Sequence, residues 1–294
     1  MTEHKNKIHI VYFTGTGGTG YAADTLTTAF KDKNYKVYCS ELLQSKLPSI
    51  NENETLVLMF PVYAADAPHV IYRWIASLTK VISQKAVVVS VSGGGEISPN
   101  TACRMKSVRR LIKKGYQVDN EYSLCMPSNF IMPTHDILAI NLLKILPGKC
   151  EIIVNEVTGN IKRRKKVNFI DRIILLLCHG EKIGSKIAGR LMRVTDDCNG
   201  CGLCAIQCPK SNITMKDNRP EYHFSCELCL RCVYLCPKKA VKLRILKRFV
   251  LKEGFNINSY IKKIHEDTLI SEEGIPDGFL WKGIVSYLQD INIL

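Results

Sequence analysis

The sequence predicts an α/β protein, with a doubly wound, five-stranded parallel sheet followed by a small cysteine-rich α+β domain. Short apolar runs alternate with helical patterns through the N-terminal half of the 294 residues, which is typical of β-α-β units. A loop of glycine and threonine directly follows the first apolar run. Eight of the 13 cysteines lie between Cys198 and Cys236, so the second half of the chain is organised differently.

Five apolar segments of strand length are separated by amphipathic segments of helix length. The predicted strands are 8–13, 35–39, 56–60, 86–91 and 122–126. The predicted helices are 19–31, 68–78, 104–114 and 136–145, and the last of them is expected to break at Pro147 and Gly148. In a sheet of this kind we expect the ligand beyond the C-terminal ends of the strands.

The same patterns divide the chain into four parts. They are a sheet domain (1–165), a basic helical connector (166–194), a cysteine-rich domain (195–245) and a C-terminal extension (246–294). The first residues are polar and no apolar stretch has the length of a membrane span, so we expect a cytoplasmic protein. The scattered cysteines are expected to be small buried hydrophobic residues, and they are Cys39, Cys103, Cys125, Cys150 and Cys178.

The cysteine-rich domain contains one motif twice. Each copy has the spacing C-x2-C-x2-C-x3-C-P, which is typical of bacterial ferredoxins with two [4Fe-4S] clusters. In this motif the fourth cysteine of each copy binds the cluster of the other copy. The first predicted ligand set is Cys198, Cys201, Cys204 and Cys236, and the second is Cys226, Cys229, Cys232 and Cys208.

Zinc is the alternative metal, because C-x2-C pairs also form zinc sites. Four ligands for each ion do not explain a doubled motif in which a proline follows both copies, so we favour the clusters. Gly200 and Gly202 are expected to let the first loop bend, so that backbone amides face the cysteine sulfurs.

The loop after the first strand reads TGTGGTG over residues 14–20 and leads into a helix. Glycines let backbone N–H groups approach an anion, and the N-terminus of a helix favours negative charge. One possible ligand is a dinucleotide, because Gly15, Gly17 and Gly20 match the G-x-G-x-x-G fingerprint. Glu41 lies where a ribose-binding acid is then expected.

The same loop suits a terminal phosphomonoester, which the hydroxyl groups of Thr14, Thr16 and Thr19 would bind together with the amides. Here the sequence resembles flavodoxin, whose phosphate loop reads Thr/Ser-x-Thr-Gly-Asn-Thr, except that Gly18 replaces the asparagine. The resemblance covers residues 7–165 and implies a flavodoxin-like sheet that binds FMN. We favour FMN over a dinucleotide.

Two later segments resemble the loops that flank the flavin in flavodoxins, and the resemblance implies that they contribute to FMN binding. The first segment comprises Pro61, Val62, Tyr63 and Ala64, and the second comprises Ser92, Gly93, Gly94 and Gly95. The family often stacks aromatic rings on the flavin. Tyr63 is the candidate for that role here, and a buried core tyrosine is the alternative.

A flavodoxin-like domain followed by a two-cluster ferredoxin domain is similar to the EFR1-family ferrodoxins of anaerobic bacteria, which residues 126–130 also resemble. The resemblance implies a protein that passes electrons between two [4Fe-4S] clusters and FMN, as a carrier or as a ferredoxin-linked reductase. A dedicated FMN-dependent oxidoreductase is less expected. The alternative from another class is a redox-sensing or nucleic-acid-interacting regulatory protein.

The net charge of +14 is unusual for such a protein, and basic residues concentrate at 162–166 and 238–252. No base-stacking aromatic motif lies beside either run, so nucleic acid is not the expected partner. We expect instead an acidic redox protein that one of these faces attracts electrostatically. The alternative is that the two runs only provide solvated surface.

Overall fold

The computed structural model describes residues 7–43, 47–98, 100–130, 133–165, 167, 169–177, 179–245, 247–251, 254–264 and 281–289. These residues form a parallel sheet covered by helices on both faces, two connecting helices, a cysteine-rich module and a C-terminal segment. Within this part of the chain, every helix is too short or too polar to cross a lipid bilayer.

The five-stranded parallel sheet has the order β2-β1-β3-β4-β5. Its strands are β1 (Lys7–Tyr12), β2 (Lys36–Glu41), β3 (Thr55–Pro61), β4 (Gln84–Ser92) and β5 (Tyr116–Cys125). This is the strand order of flavodoxin-like doubly wound folds, so the predicted fold class is confirmed. Strand β5 begins at Tyr116 rather than at Tyr122, because its first half alternates between buried and exposed residues and lacks a continuous apolar run.

Two pairs of helices cover the sheet. One face carries α1 (Gly18–Asp32) and α4 (Asp136–Thr158), and the other carries α2 (His69–Ser77) and α3 (Met105–Lys113). Each face has its own apolar core, because the central strands are buried on both sides and read as nearly continuous Val, Ile and Leu runs. The helices cover the two faces of the sheet, and the loops that follow β1, β3 and β4 lie at its C-terminal edge.

The predicted helix break at Pro147 and Gly148 is wrong, because α4 runs without interruption through both residues. Pro147 lies inside the helix at an exposed position, and it cannot donate a hydrogen bond to the carbonyl group four residues earlier. Leu143 and Leu146 before the proline, and Ile153 after it, pack against the same face of the sheet. This shared packing holds the two halves of the helix in line.

The scattered cysteines have two different environments. Cys103, Cys125 and Cys150 are buried, as expected for small hydrophobic residues. The expectation was wrong for Cys39, which is exposed because β2 is an edge strand with little cover. Cys178 lies outside the described residues.

The second half begins with two connecting helices, α5 (Phe169–Leu177) and α6 (His179–Arg190). The cysteine-rich module then contains two short antiparallel pairs, β6 with β9 and β7 with β8, and one short helix in each cysteine copy. Its elements are β6 (Arg193–Val194), α7 (Leu203–Ile206), β7 (Ile213–Lys216), β8 (Arg219–Tyr222), α8 (Arg231–Tyr234) and β9 (Val241–Lys242). The C-terminal segment adds α9 (Ile257–Ile261) and α10 (Lys282–Gln289).

The described cations of the first basic run (162–166) form ion pairs with carboxylates of the sheet domain. Each of its four described cations lies within ion-pair distance of a carboxylate near β5, α4 or the loop after β4. The pairs are Lys162 with Asp119 (3.4 Å), Arg163 with Glu156 (2.5 Å), Arg164 with Glu121 (3.1 Å) and Lys165 with Glu96 (3.6 Å). Nearby carboxylates therefore offset the charge of this run, and Lys166 lies outside the described residues.

We expect Gly148→Ala to stabilise the protein by about 0.5–1 kcal/mol, because a methyl group there meets no atom within 4 Å and removes backbone freedom from the unfolded chain. The contrasting variant is Gly115→Ala. Gly115 has φ +93°, and its added carbon would lie 2.7 Å from the carbonyl carbon of Val81, so we expect a loss of more than about 1 kcal/mol. Urea unfolding measures the change in the free energy of unfolding for both variants. Changes of the same sign would contradict the described geometry of the two glycines.

Candidate functional site

The Gly/Thr loop connects β1 to α1 at the C-terminal edge of the sheet. Gly17 has φ +100° and caps the helix, and its N–H donates to the hydroxyl oxygen of Thr14 at 3.0 Å. The first helical hydrogen bond runs from the N–H of Tyr21 to the carbonyl of Gly17 at 2.9 Å. Among the described residues, the N–H groups of residues 18–20 have no recorded acceptor. They therefore fit an anion at this helix end, as a phosphate group requires.

A side chain from another strand end completes this loop. Asn129 follows β5, and its amide nitrogen donates to the hydroxyl oxygen of Thr16 at 2.7 Å. The carbonyl of Asn129 in turn accepts from the hydroxyl group of Tyr234 at 2.7 Å. The loop therefore has an asparagine side chain beside it although Gly18 occupies the position where flavodoxins usually have one.

The loop after β3 is a tight turn closed by two backbone hydrogen bonds between Tyr63 and Asp66, of 2.9 and 3.0 Å. Ala64 and Ala65 have left-handed backbone conformations at the tip of this turn. The Tyr63 ring lies edge-on to Phe13, and its hydroxyl group is buried without a hydrogen-bond partner among the described residues. Burial raises the pKa of Tyr63. Tyr63 is thus a partly buried residue whose hydroxyl group lies in the interior.

The loop after β4 lies against two other parts of the chain. Gly93 is in contact with Ser128, and a carbon added at Gly95 would lie 2.7 Å from the carbonyl oxygen of Gly283 in α10. The hydroxyl group of Ser92 donates to the carbonyl of Gly95 at 3.2 Å, which closes the turn. The predicted residues of all three loops therefore share one edge of the sheet.

The motif cysteines of the two copies lie beside one another. A cavity of about 20 Å³ is lined by Cys208, Cys226, Cys229 and Cys232, which form the second predicted ligand set. Cys204, Cys208, Cys232 and Cys236 all pack against one apolar cluster, which contains Ile213, Tyr222 and Val241. Burial raises the pKa of the Cys204 thiol, with further contributions from the neighbouring Cys198 and Cys201. The structure thus brings the second predicted set around one cavity, and the grouping of Cys236 with the first three cysteines stays a prediction.

In both copies, a backbone N–H group lies within hydrogen-bond distance of the sulfur of the fourth cysteine. The N–H of Asn212 lies 3.2 Å from the Cys208 sulfur, and the N–H of Ala240 lies 3.3 Å from the Cys236 sulfur. Both donors are four residues after the cysteine that they contact. Amide donors of this kind stabilise thiolate ligands and tune the potential of iron–sulfur clusters.

The first cysteine loop bends at two glycines, as predicted, whereas the second loop adopts the same backbone conformation without glycine. Gly200 and Gly202 both have φ +71°. The corresponding residues of the second copy are Leu228 (φ +53°) and Leu230 (φ +61°), although a left-handed conformation costs about 1–2 kcal/mol for a residue with a side chain. Strain of this kind is typical of functional sites, where the surrounding structure imposes it.

The second cysteine copy is docked directly on the Gly/Thr loop. A carbon added at Gly15 would lie 2.7 Å from the carbonyl oxygen of Cys229 and would also collide with the Tyr63 hydroxyl. Arg231, which lies between two motif cysteines, donates to the carbonyl of Gly15 at 3.1 Å and also to the carbonyl of Thr14. These contacts place the second predicted cluster set beside the predicted phosphate loop.

Arg231 also forms a salt bridge with Glu41 at the end of β2. Glu41 is the acid that the dinucleotide alternative assigns to a ribose. Its carboxylate is instead engaged by the cysteine-rich module, so this structure does not support the dinucleotide interpretation.

Two further contacts fix the second copy. The carboxylate of Glu227 accepts from the N–H of His69 at 3.1 Å, at the N-terminus of α2, where a negative charge is favourable. On the opposite side, a carbon added at Gly189 of α6 would lie 2.6 Å from the Cys226 sulfur. The connecting helix and the sheet domain therefore enclose this copy between them.

Sequence reasoning missed the residues that join the two modules. They are Glu41, Asn129, Glu227 and Arg231. The one available signal was the presence of charged residues between closely spaced cysteines, and it does not identify their partners. Asn129 had been noticed as part of a resemblance, without a role.

Comparisons with known proteins found one curated relative and several solved structures that are similar to parts of the chain. No family model matches the sequence. A polyferredoxin-like protein of uncharacterised function from Methanocaldococcus jannaschii is 38% identical over 72 residues, which is 24% of this chain and 28% of that protein. The chain thus spans well under a third of the length of this curated relative.

Solved structures similar to this chain include flavodoxins and a larger oxidoreductase. An archaeal flavodoxin is 14% identical and covers 52% of this chain and 99% of its own (TM-score 0.37). Flavodoxin 2 from Bacillus cereus is 12% identical, with coverage of 53% and 99% (TM-score 0.38). Rubredoxin oxygen:oxidoreductase from Desulfovibrio gigas is 12% identical, with coverage of 54% and 38% (TM-score 0.34). The flavodoxin-like assignment of the sheet rests on its strand order.

We expect Gly15→Ala to disturb the contact between the two modules, because its methyl group would collide with Tyr63 and Cys229. Gly18→Ala is the matched control, since an added carbon there meets only the Met126 side chain, at 3.9 Å. Limited proteolysis and the melting temperature of the intact chain report the difference. An unchanged Gly15→Ala protein would show that the loop and the second cysteine copy are not in contact in solution.

Proposed function

We propose that this protein transfers electrons between two [4Fe-4S] clusters and a bound FMN, as a carrier or as a ferredoxin-linked reductase. The observation that carries the proposal is the contact between the second cysteine copy and the Gly/Thr loop, through Cys229 and Arg231. Two cofactor-binding elements of different modules are packed against each other at this point. Electron transfer favours such an arrangement, because its rate falls steeply with distance.

Iron–sulfur clusters are supported by the donor set. All eight donors are thiols of a doubled motif, and backbone amides donate to the sulfurs of Cys208 and Cys236. The four thiols of the second predicted set line one small cavity. The doubled four-cysteine spacing favours two cubanes over zinc, because it is the spacing that binds such clusters in bacterial ferredoxins.

FMN is supported by its phosphate end. The unpaired N–H groups of residues 18–20 and the hydroxyl groups of Thr14 and Thr16 suit a phosphomonoester. The buried Tyr63 hydroxyl, which has no partner among the described residues, is a further polar atom available to a ligand in this region. When bound, the clusters exchange single electrons, and the flavin exchanges one or two.

The residues of this chain have defined parts in the proposed function. Arg231 fixes the second cysteine copy against the phosphate loop by binding two of its carbonyl groups. Tyr63 packs against the loop at Gly15, and its ring lies edge-on to the buried Phe13. Since the first basic run is offset by carboxylates, the alternative of a nucleic-acid-interacting regulator gains no support from residues 162–165.

We expect about eight irons and eight acid-labile sulfides per chain in anaerobically purified protein, because two complete cubane ligand sets are present. Cys236→Ser should reduce the iron content by about half, through loss of the cluster whose other ligands lie in the first copy. Cys39→Ser is the control, since Cys39 is exposed on an edge strand and should leave the iron content unchanged. Zinc without labile sulfide would contradict the cluster proposal.

We expect Thr16→Ala to weaken FMN binding by about 1.5–3 kcal/mol, because the charged phosphate loses the hydrogen bond from the threonine hydroxyl group. Thr28→Ala is the control in α1, the helix that follows the loop, where the exposed hydroxyl group donates to the carbonyl of Asp24. Fluorescence titration of cofactor-depleted protein with FMN and with riboflavin measures the effect. If riboflavin binds as tightly as FMN, the loop does not bind phosphate.

A further inference from the structure

A basic groove of about 850 Å³ lies between the cysteine-rich module and the C-terminal segment that carries α9. Five of its cations come from β6, from β9 and from the chain on both sides of β9. They are Arg193, Lys239, Lys242, Arg244 and Lys247. Four of the five belong to the basic run 238–252, and the fold adds Arg193, which is distant in the sequence.

The cations of the groove differ from those of residues 162–165 in their electrostatic surroundings. Within the described part of the chain, none of the five has a carboxylate within ion-pair distance. Asp136 is the one acid that lines the groove, and it is paired with Lys263 at 2.6 Å. The groove therefore keeps a concentrated positive charge.

The floor of the groove is apolar. Val241, Leu243 and Phe255 are buried there, and the rings of Tyr234 and Tyr260 flank Phe255 with centroids 6.4 and 6.1 Å away. An apolar centre with a charged rim is the usual anatomy of a protein interface. A partner with an acidic rim is complementary to this surface, and opposite charges also raise the rate of encounter.

The groove lies beside the first predicted cluster set. Cys236 lines it, and Lys239 and Ala240 belong to the turn whose amide contacts the Cys236 sulfur. The second set is covered by the Gly/Thr loop and by α6. A partner in the groove is therefore next to the set that includes Cys236.

We propose that a small acidic electron-transfer protein docks in this groove and exchanges single electrons with the cluster bound by Cys198, Cys201, Cys204 and Cys236. In the tested direction, the partner's cluster is oxidised by one electron and this cluster is reduced by one. No bond forms or breaks, and no proton is required. The inference rests on the proposed electron-transfer function and adds the partner's class and its docking surface.

The test uses the holoprotein and a plant-type [2Fe-2S] ferredoxin, an acidic carrier of low potential, as the probe. The variant Lys239→Glu/Lys242→Glu reverses two charges of the groove. The control Lys80→Glu/Lys113→Glu makes the same change in net charge on exposed residues of the sheet domain that do not line the groove. Calorimetry with the oxidised probe gives the Kd, and stopped-flow mixing with the reduced probe gives the electron-transfer rate.

We expect the groove variant to raise the Kd and to lower the second-order rate at least about tenfold at low ionic strength, and both differences to shrink as salt is added. The control should change either quantity less than about threefold. Equal effects of the two variants, or none, would overturn the docking proposal. Tighter binding of ATP than of the probe, lost in the groove variant, would also overturn it and would assign the groove to small polyanions.

Reduction by dithionite separates this proposal from the broader function. Dithionite does not need the groove, so wild type and both variants should show the same cluster and flavin spectra after its addition. If dithionite reduces the clusters but flavin reduction never follows, the internal electron transfer fails while the docking result still stands. If dithionite reduces the clusters and the flavin in all three proteins, but the Kd and rate of the probe do not change in the groove variant, the docking proposal alone fails.

Discussion

The contact of Arg231 with the Gly/Thr loop is the constraint on which the arrangement of the two modules depends. Its guanidinium group binds the carbonyls of Thr14 and Gly15 and the carboxylate of Glu41, and it is almost completely buried. A buried cation needs such a set of acceptors, because an unpaired charge in the interior costs several kcal/mol. The described orientation of the cysteine-rich module satisfies Arg231 and also seats Cys229 against Gly15. The relation between the two predicted cofactor sites follows from that orientation.

The two cysteine copies share one spacing and have different surroundings. The second copy is enclosed by the sheet domain and by α6, and its loop adopts strained backbone conformations at Leu228 and Leu230. The first copy has glycine at the corresponding positions, and its Cys201 is exposed. A repeat that could bind two equivalent clusters thus has one inner and one outer site. In an electron-transfer protein, this asymmetry suits one cluster to an internal exchange and the other to an external partner.

The basic composition also divides into two parts once the chain is folded. Residues 162–165 fasten the end of the sheet domain to carboxylates of β5, α4 and the loop after β4. The cations of the groove come from Arg193 through Lys247, and no neighbouring acid offsets them within the described residues. Two basic runs of similar appearance therefore differ in their electrostatic effect. A run of lysines in the sequence gives the charge density along the chain. Attraction of a partner depends instead on the charge that nearby carboxylates do not offset in the folded protein.

The sequence by itself indicated the alternating strands and helices of the sheet domain, and it predicted the phosphate-binding turn and the two sets of cysteines. These features depend on local spacing: apolar periodicity, glycine beside threonine, and thiols separated by two or three residues. The tertiary structure decided that α4 continues through Pro147, that Cys39 is exposed, and that Glu41 binds Arg231. Glu41 and Arg231 are 190 positions apart, and no local pattern relates them. Their pairing results from the burial of a charge when two separate surfaces meet, which is a property of the packed chain.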